Sequence, residues 1–359
     1  MHRFLIHILS LFLIVPSLFA EGVTQYVNPL MGTTTLWTPE ELGFVPKPGE
    51  RQWGAETFPG AALPNAMVQL TPVTQYRSGS GYQYEDSLIY GFAHTSKGHW
   101  NLLHLPILPV TEEGKPTPQS YASAYHHDRE EAHPGYYQVF LDRYNVNAEL
   151  TTTLRCGYHR YTFRESDHKA LLIDIARSNN MPRRWELKQA GTNAIEGFQD
   201  GEGRIYFYAV SNLPVSSVQI ERDTKHQVAL VDFRDNVGSD PLEVKFGFSF
   251  VSIENARQNL EAEMLQKSFQ QVRQEADQTW ERLLNHIQVE GGTQRQRGLL
   301  YSTLYRCFLW PALRSDTNGQ YLDVRGQVVQ GDFRYYTDPS FWDTYRNKLI
   351  LLGLLSPQS

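Results

Sequence analysis

The sequence has few of the features that would tie a protein to zinc, redox chemistry, nucleic acid or a membrane. It has only 2 cysteines in 359 residues. Neither Cys156 nor Cys307 belongs to a Cys-x-x-Cys or Cys/His cluster, so we expect two buried free thiols and no structural zinc site. The formal net charge of −6 argues against nucleic acid or an anionic membrane surface as a partner. Beyond residue 20, no apolar run is long enough to cross a bilayer.

Residues 1–20 have the pattern of an export signal. His2 and Arg3 form a short basic start, and the apolar run that follows, from Phe4 to Val15, is too short to span a bilayer. A proline ends this run, and Ala20 is a small residue suited to the cleavage position. The sequence therefore predicts a secreted or periplasmic protein with a signal peptide at 1–20. The alternative is an uncleaved signal anchor.

Residues from about 66 to 251 alternate between apolar and polar side chains, which is typical of half-buried strands. Between Glu243 and Val251, for example, Val244, Phe246 and Phe248 share one face. Turn residues separate short strands throughout this span, so we predict an antiparallel, all-β sandwich over 21–253. Aromatic residues make up 13% of the chain; most should fill this core, although such rings also form the platforms on which sugars stack.

The apolar spacing changes near residue 254 to steps of three and four, which is typical of helices. We predict one linking helix of about thirty residues within 254–292, ended by Gly291 and Gly292. A second helix is expected from Gln296 to Leu309. A third is expected to start with Asp338 as the N-cap residue and Pro339 at the first helical position.

Residues 293–359 are too few to bury a core of their own. The chain ends at Ser359, directly after an apolar helix face. We therefore expect a truncated protein or half of a split gene. The alternative is a complete protein whose C-terminal helices dock on the sandwich.

Seven local sequences occur in an order that resembles glycoside hydrolase family 92, a group of exported bacterial α-mannosidases. The resemblance runs from about Tyr26 to the end of the chain. It implies an N-terminal β-sandwich, a linking helix and a C-terminal (α/α)6 barrel, of which only the start, 293–359, would be present. The seven are YVNPLMGT (26–33), FPGAALPNAMVQLTP (58–72), GYQYEDSLIYGFAHT (81–95), HPGYYQV (133–139), AELTTTLRCGYHRYTF (148–163), LYRCFLWPALRSDTNGQY (304–321) and YYTDPSFWDTYR (335–346).

The resemblance implies a calcium-dependent, exo-acting and inverting α-mannosidase, with α-1,2 as the expected linkage and mannans or high-mannose N-glycans as partners. An inverting glycosidase needs an acid and a base carboxylate roughly 6.5–9.5 Å apart. The family's acid, base and most calcium ligands lie in segments without a counterpart before Ser359. We therefore assign no catalytic residue and no metal ligand, and expect this chain alone to be inactive. The carboxylates of Glu85, Asp86, Asp316, Asp332 and Asp338 are interpreted as turn, cap or surface groups.

The resemblance also implies part of a sugar pocket. Trp342 and Asp343 match the family's Trp-Asp pair, which contacts the mannose in the cleaved subsite. An indole face can cover the C–H groups of a sugar, and a carboxylate can accept hydrogen bonds from two hydroxyls. Without the family, the same pair would be interpreted as a buried helix Trp followed by an Asp in the first helical turn.

Three further residues are candidate substrate contacts. Gly60 resembles a family glycine where the backbone approaches the sugar, although a tight turn alone would explain it. Arg77 lies where the family places a loop facing the leaving-group sugar; many relatives have Trp in that region, so the linkage preference stays open. His94 matches the first histidine of a family Ser-His-Thr-His run that here lacks the second, and a packed core histidine explains it equally well. Two other function classes stay open at this point: a non-catalytic carbohydrate-binding sandwich, and a structural sandwich without a ligand.

Overall fold

The computed structural model describes residues 22–357, except 37, 46–54, 97–101, 112–115, 165–167, 202, 223–226, 234–239 and 338–340. The side chains of residues 41, 42, 222 and 343 are not described either. The predicted signal peptide and the predicted helix start at Asp338 and Pro339 therefore lie outside the described residues.

Two antiparallel sheets form the first part of the chain. The strands are β1 Thr71–Val73, β2 Leu88–Ile89, β3 Gly91–Ala93, β4 Ile107–Val110, β5 Ser123–Ala124, β6 Glu130–His133, β7 Tyr136–Leu141, β8 Val146–Thr152, β9 Cys156–Phe163, β10 Ala170–Ile173, β11 Arg184–Gln189, β12 Ala194–Gly201, β13 Gly203–Ser211, β14 Ser217–Arg222, β15 Gln227–Asp232 and β16 Leu242–Ser249. The spatial order of the strands is β1-β3-β4-β10-β15-β14 in one large sheet and β11-β12-β13-β16-β9-β8-β7-β6 in the other. A third, two-stranded sheet pairs β2 with β5.

The period of two in the sequence matches the burial of these strands. In β16, Val244, Phe246 and Phe248 are buried together in one core that includes residues of both large sheets. Phe246 pairs with Ala209 of β13 on one side and with Gly157 of β9 on the other. Alternation of this kind lets one face of a sheet pack against the other sheet. The prediction of a β-sandwich-like first domain is confirmed.

Helices follow the last strand of the sandwich. They are α2 Ile253–Glu263, α3 Phe269–Leu284, α4 Gln294–Cys307, α5 Phe341–Thr344 and α6 Lys348–Leu355, while a short α1, Pro39–Leu42, precedes the sandwich. Two small two-stranded sheets interrupt the helical region: β17 Ala312–Leu313 pairs with β20 Tyr336–Thr337, and between them β18 Gln320–Leu322 and β19 Val328–Gln330 form a hairpin. The assignment of these helices to the start of an (α/α)6 barrel stays a prediction.

The prediction of a single helix of about thirty residues is wrong. The helix breaks after Glu263, and α3 begins anew behind Ser268. The Ser268 hydroxyl accepts a hydrogen bond from the Gln271 backbone N–H (3.3 Å), and the Gln271 side chain accepts one from the Ser268 N–H (2.8 Å). This capping box satisfies N–H groups at a helix start, so it favours a new helix even though the apolar spacing continues across the break.

The two later helices also differ from their predicted bounds. A second capping box, between Thr293 and Gln296, starts α4 at Gln294, which is two residues earlier than predicted. The predicted third helix consists of the short α5 and of α6, with Asn347 between them at a φ of 64°. A residue in this left-handed region interrupts a helix, because L-residues rarely adopt it.

The helices join the sandwich through a second core. The Trp280 indole N–H of α3 donates to the Ala62 carbonyl (2.7 Å), and its ring lies 4.4 Å from that of Tyr305 of α4, centroid to centroid. Phe58 and Leu352 belong to the same buried cluster, so the FPGA segment and α6 meet there. This buried contact between the two regions is called the seam below.

The first described residues form a strap along the helices before the chain enters the sandwich. The Glu281 carboxylate accepts the backbone N–H groups of Val23 and Thr24 at 3.0 Å each. Arg306 donates to the Phe58 carbonyl at 2.9 Å and to the Met31 carbonyl at 3.3 Å. The first described residues therefore lie on the helical side of the molecule.

Both cysteines are free, as predicted; Cys156 is buried, and Cys307 is only partly so. No helix within the described part of the chain is long and apolar enough to cross a membrane.

Candidate functional site

Trp342 lies on α5 with its side chain almost fully in solvent. It is 84% exposed, and its neighbours Phe341 and Tyr345 are exposed as well. A free indole face is available for stacking, whereas a core Trp would be covered. The alternative of a buried helix Trp does not hold for the described residues. Asp343 is the next residue of α5, and its side chain lies outside the described part.

The helix after this pair is anchored to the seam. Leu352 of α6 is buried with Phe58 and Tyr305, and His286 forms a hydrogen bond through Nδ1 with the Leu355 carbonyl (2.9 Å). Thr344, the last residue of α5, is buried too. Trp342 is thus an exposed ring on a short helix flanked by two buried contacts.

Gly60 is buried in the FPGA segment, where it passes very close to another part of the backbone. A Cβ added there would lie 1.5 Å from the Leu70 carbonyl oxygen, which is far inside van der Waals contact. Ala61 accepts the Leu70 N–H at 2.8 Å, which fixes this approach. Internal packing alone therefore requires glycine here, and backbone contact with a sugar stays a prediction.

Arg77 lies at the tip of a sandwich loop in the left-handed region, with a φ of 62°. Its backbone N–H donates to the Asn179 side chain (2.7 Å), while its own side chain is exposed. Next to it the Arg177 guanidinium covers the Tyr76 ring, 3.8 Å from the ring centroid. The loop is held by its backbone and by this stacked pair, which leaves the Arg77 guanidinium free to contact a ligand.

His94 is completely buried in the sandwich core. Its Nδ1 is 3.0 Å from the Leu105 carbonyl, and its Nε2 is 2.8 Å from Nε2 of His159. His159 Nδ1 is 2.7 Å from the Tyr161 hydroxyl. Because a carbonyl only accepts, His94 donates from Nδ1, His159 donates from Nε2 to His94, and Tyr161 donates to His159. Every ring nitrogen has a partner, so the structure favours the core interpretation over direct sugar contact.

The same burial keeps both rings neutral. Desolvation lowers the pKa of His94 to about 3, against weak opposition from its backbone hydrogen bonds. Desolvation, with the nearby His94, also lowers the pKa of His159 well below its ordinary value. A charge at either ring would have to be buried without a carboxylate to balance it.

Asp316 was interpreted from the sequence as a turn, cap or surface group. It does begin a turn, since its backbone carbonyl accepts the Gly319 N–H at 3.0 Å, but it is not a surface group. The residue is only 2% exposed and accepts three side-chain hydrogen bonds. The donors are Ser249 at the end of β16 (2.6 Å) and Asn255 and Asn259 of α2 (2.8 and 2.7 Å). Burial raises the pKa of this carboxyl against the lowering effect of the three donors. Asp316 thus fastens the helical region to the last strand of the sandwich.

The described residues do not supply a metal centre: no three His, Cys, Asp or Glu side chains among them could hold an ion. Calcium prefers six to eight oxygen ligands. The described residues therefore show no group of three such side chains for calcium, and none of them is assigned as a calcium ligand.

Two of the predicted site residues, Gly60 and His94, lie next to the same short segment, residues 69–70. The Gln69 N–H donates to the His94 carbonyl, and the next residue, Leu70, covers Gly60. Trp342 and Arg77 belong to separate elements. Within the described ranges, no hydrogen bond, ion pair or ring contact joins either of them to the other or to Gly60 and His94.

Comparison with protein-family models gives two matches that meet at α2. Residues 26–260 match the glycosyl hydrolase family 92 N-terminal domain, and residues 255–359 match the glycosyl hydrolase family 92 catalytic domain. Because the first match alone covers more than half of the chain, the chain belongs to glycoside hydrolase family 92. A comparison with curated proteins returned no match.

Solved structures of the family have the same fold. The GH92 α-mannosidase BT3965 from Bacteroides thetaiotaomicron is 27% identical with a TM-score of 0.82, over 94% of this chain and 48% of that one. Its complex with mannoimidazole is 27% identical with a TM-score of 0.81, over 94% of this chain and 47% of that one. The inverting mannosidase BT2199 from Bacteroides thetaiotaomicron VPI-5482 is 25% identical with a TM-score of 0.76, over 92% of this chain and 46% of that one. The chain therefore spans slightly less than half the length of these relatives.

Proposed function

We propose that this chain is the N-terminal portion of an exported, exo-acting α-mannosidase that cleaves α-1,2-mannosidic bonds with inversion and depends on calcium. Membership of family 92 supports the hydrolase class. Trp342 is the observation that carries the proposal, since its indole is exposed at the position of the family's sugar-contacting Trp-Asp pair. A solved relative is described in complex with mannoimidazole, and we infer that this chain recognises the same kind of sugar.

In the proposed site the Trp342 ring covers the C–H face of the mannose, and the Asp343 carboxylate accepts hydrogen bonds from its hydroxyls. Arg77 is the proposed contact for the leaving-group sugar. The acid and base that inversion requires are proposed to lie outside these 359 residues, so the chain binds but does not cleave. The match of 255–359 to a catalytic domain supports this proposal over a stand-alone carbohydrate-binding sandwich.

Binding tests the pocket. Titration calorimetry of the purified chain with mannoimidazole should show weak binding. Asp343→Ala should reduce the affinity about tenfold or more, because a charge-assisted hydrogen bond contributes about 1.5–3 kcal/mol. Trp342→Ala should abolish measurable binding. Lys348→Ala, a nearby change outside the proposed contacts, serves as the control. Unchanged affinity in both site variants would show that the pair does not bind the sugar.

Hydrolysis tests the proposed location of the chemistry. The purified chain with calcium and 4-nitrophenyl α-D-mannopyranoside should release no nitrophenol above the buffer rate, while BT3965 serves as the active control. Each proton transfer contributes about 10²–10⁴-fold to rate, so even one catalytic carboxylate in place would be visible. Calcium-dependent release by this chain would mean that its own carboxylates are catalytic.

A further inference from the structure

A cleft of about 400 Å³ opens where the helical region meets the sandwich. Arg155 of the sandwich lines one side, and the segments 315–319 and 331–334 that flank the β18–β19 hairpin line the rest. None of the candidate sugar contacts discussed so far lies in it. The volume is in the range of small-ligand sites, which is about 300–1,000 Å³.

Phe333 presents an exposed aromatic ring at this cleft. The ring is 54% exposed although it is large and apolar. Two neighbours hold it in position: Tyr321 of β18 lies 5.8 Å away between ring centroids, and a Cβ added to Gly331 would come within 2.9 Å of the Phe333 ring. Tyr321 is itself stacked on Tyr335 at 4.3 Å. The ring is therefore fixed in place with much of its surface in solvent.

Charged groups flank this ring on both sides in the chain. Asp332 and Arg334 also line the cleft, and both are exposed. Neither side chain forms a hydrogen bond or ion pair with another residue of the described part of the chain. A carboxylate accepts hydrogen bonds and a guanidinium donates them, so the two together can bind adjacent hydroxyls.

The floor of the cleft is rigid. Arg155 donates to the Ser315 carbonyl (2.8 Å) and forms an ion pair with Glu263 (2.6 Å). Asp316, beside it, is held by the three donors described above. A site whose walls are already ordered loses little conformational entropy when it binds a ligand.

A larger cleft, lined in part by α3, lacks an exposed aromatic ring. It measures about 760 Å³ and is lined by polar side chains that include His133, Arg273 and Gln274. Its aromatic residue, Tyr136, is buried, and the Arg273 guanidinium covers its ring at 3.6 Å. This cleft presents no open ring to a sugar, so it serves as an internal comparison.

We propose that the Phe333 cleft is a second sugar-binding surface that holds a pyranose unit of an α-mannoside chain. The C–H face of the sugar stacks on Phe333, and its hydroxyls bond to Asp332 and Arg334. An exposed, fixed aromatic ring between a hydrogen-bond acceptor and a donor suits a neutral, hydroxyl-rich ring better than an anion or an apolar ligand. The nature of the sugar rests on the proposed function, while the existence of the surface rests on the cleft.

Affinity electrophoresis of the purified chain in gels that contain soluble α-mannan tests this. Retardation as a function of mannan concentration gives Kd. Phe333→Ala should weaken binding about five- to tenfold, as expected for loss of an aromatic contact. Phe333→Trp should stay within about twofold of the parent, because it keeps a stacking face. Asp332→Asn should weaken binding less than Phe333→Ala does.

Two control variants match these changes. Val324→Ala removes an exposed apolar side chain from the turn of the same hairpin, and Gln274→Ala changes the larger cleft; neither should alter Kd. Thermal denaturation of each variant shows whether the fold is intact. If Phe333→Ala has a lower melting temperature than the parent, the Kd values of Phe333→Leu and Phe333→Trp test the proposal instead, since both retain bulk but only Trp retains a planar ring.

The outcomes separate this inference from the proposed function. If Trp342→Ala abolishes the retardation and Phe333→Ala leaves it unchanged, only the proposal of the second surface is wrong. Retardation that Phe333→Ala weakens supports it, whatever the nitrophenyl assay gives. If mannan does not retard the parent chain at all, both the second surface and the recognition of α-mannosides by this chain are wrong.

Discussion

The sandwich and the helical region bury their apolar side chains to different degrees. In the sandwich, the large side chains of both sheets share one core, and even its His94–His159 pair is fully buried. In the helical region, the seam around Trp280 is buried to the same degree. By contrast, α5 is exposed at Phe341 and Trp342, the turn after it at Tyr345, and α6 at Ile350 and Leu354. Stability should therefore depend on the sandwich and the seam, while the exposed faces of α5 and α6 can change with little effect on the free energy of unfolding.

A substitution in the seam should have the largest effect on the free energy of unfolding. Trp280→Ala removes a fully buried ring and leaves the Ala62 carbonyl without its donor. We expect a loss of about 3–5 kcal/mol in the free energy of unfolding, measured by urea denaturation followed by circular dichroism. A loss under about 1 kcal/mol would mean that the seam does not hold the regions together.

Acid should destabilise the sandwich next. The pKa values of His94 and His159 are lowered in the folded chain, so below about pH 6.5 the unfolded chain binds more protons than the folded one. Their contribution is complete above pH 6.5 and is lost as the pH falls towards the folded pKa of about 3 for His94. The expected slope is about 1.4 kcal/mol per pH unit for each histidine.

Urea midpoints at a series of pH values between 7 and 5 would measure that slope. His159→Gln keeps a side chain that can form hydrogen bonds but does not titrate, so its profile should be flatter. An equal slope in parent and variant would assign the acid sensitivity to other groups.

Asp316→Asn should have an intermediate effect. The new amide would place an N–H₂ group among three donors, so at least one hydrogen bond to a charged acceptor is lost. We expect about 2 kcal/mol of destabilisation, with Asp277→Asn, an exposed position on α3, as the unaffected control. Equal stability of the two variants would contradict the fastening role of Asp316.

The outer face of α6 should give the smallest effect. Leu354→Ala removes an exposed side chain, and we expect a change within about 0.5 kcal/mol. Leu352→Ala, two residues earlier and buried in the seam, should cost about 2–5 kcal/mol. Similar losses for both residues would mean that the exposed face is covered in solution.

The sandwich could be predicted from the sequence because its signal is local. In β13, buried positions alternate with half-buried ones from Arg204 to Ser211, and this period of two is visible in the residues themselves. The break between α2 and α3 was also visible, since Ser268 and Gln271 have the spacing of a capping box. The continuing apolar spacing outweighed that signal in our prediction.

The Asp316 contacts and the pairing of His94 with His159 could not be predicted in this way. Asp316 lies 67 residues from Ser249 and 61 from Asn255, so only the folded chain brings them together. His94 meets His159 across 65 residues, and no spacing rule relates the two. The residue pattern around Trp342 alone favours a buried ring, so its role as an accessible ring was predicted only through the family resemblance.

The strap along the helices sets an order on folding. Val23 bonds to Glu281 across 258 positions, and Asn28 bonds to Ser302 across 274. Residues 22–31 precede the sandwich in the chain, but their partners on α3 and α4 follow it. These residues can therefore reach their native position only once those helices have formed. Contacts of such long sequence separation slow folding, so the strap should be among the last of the described segments to become ordered.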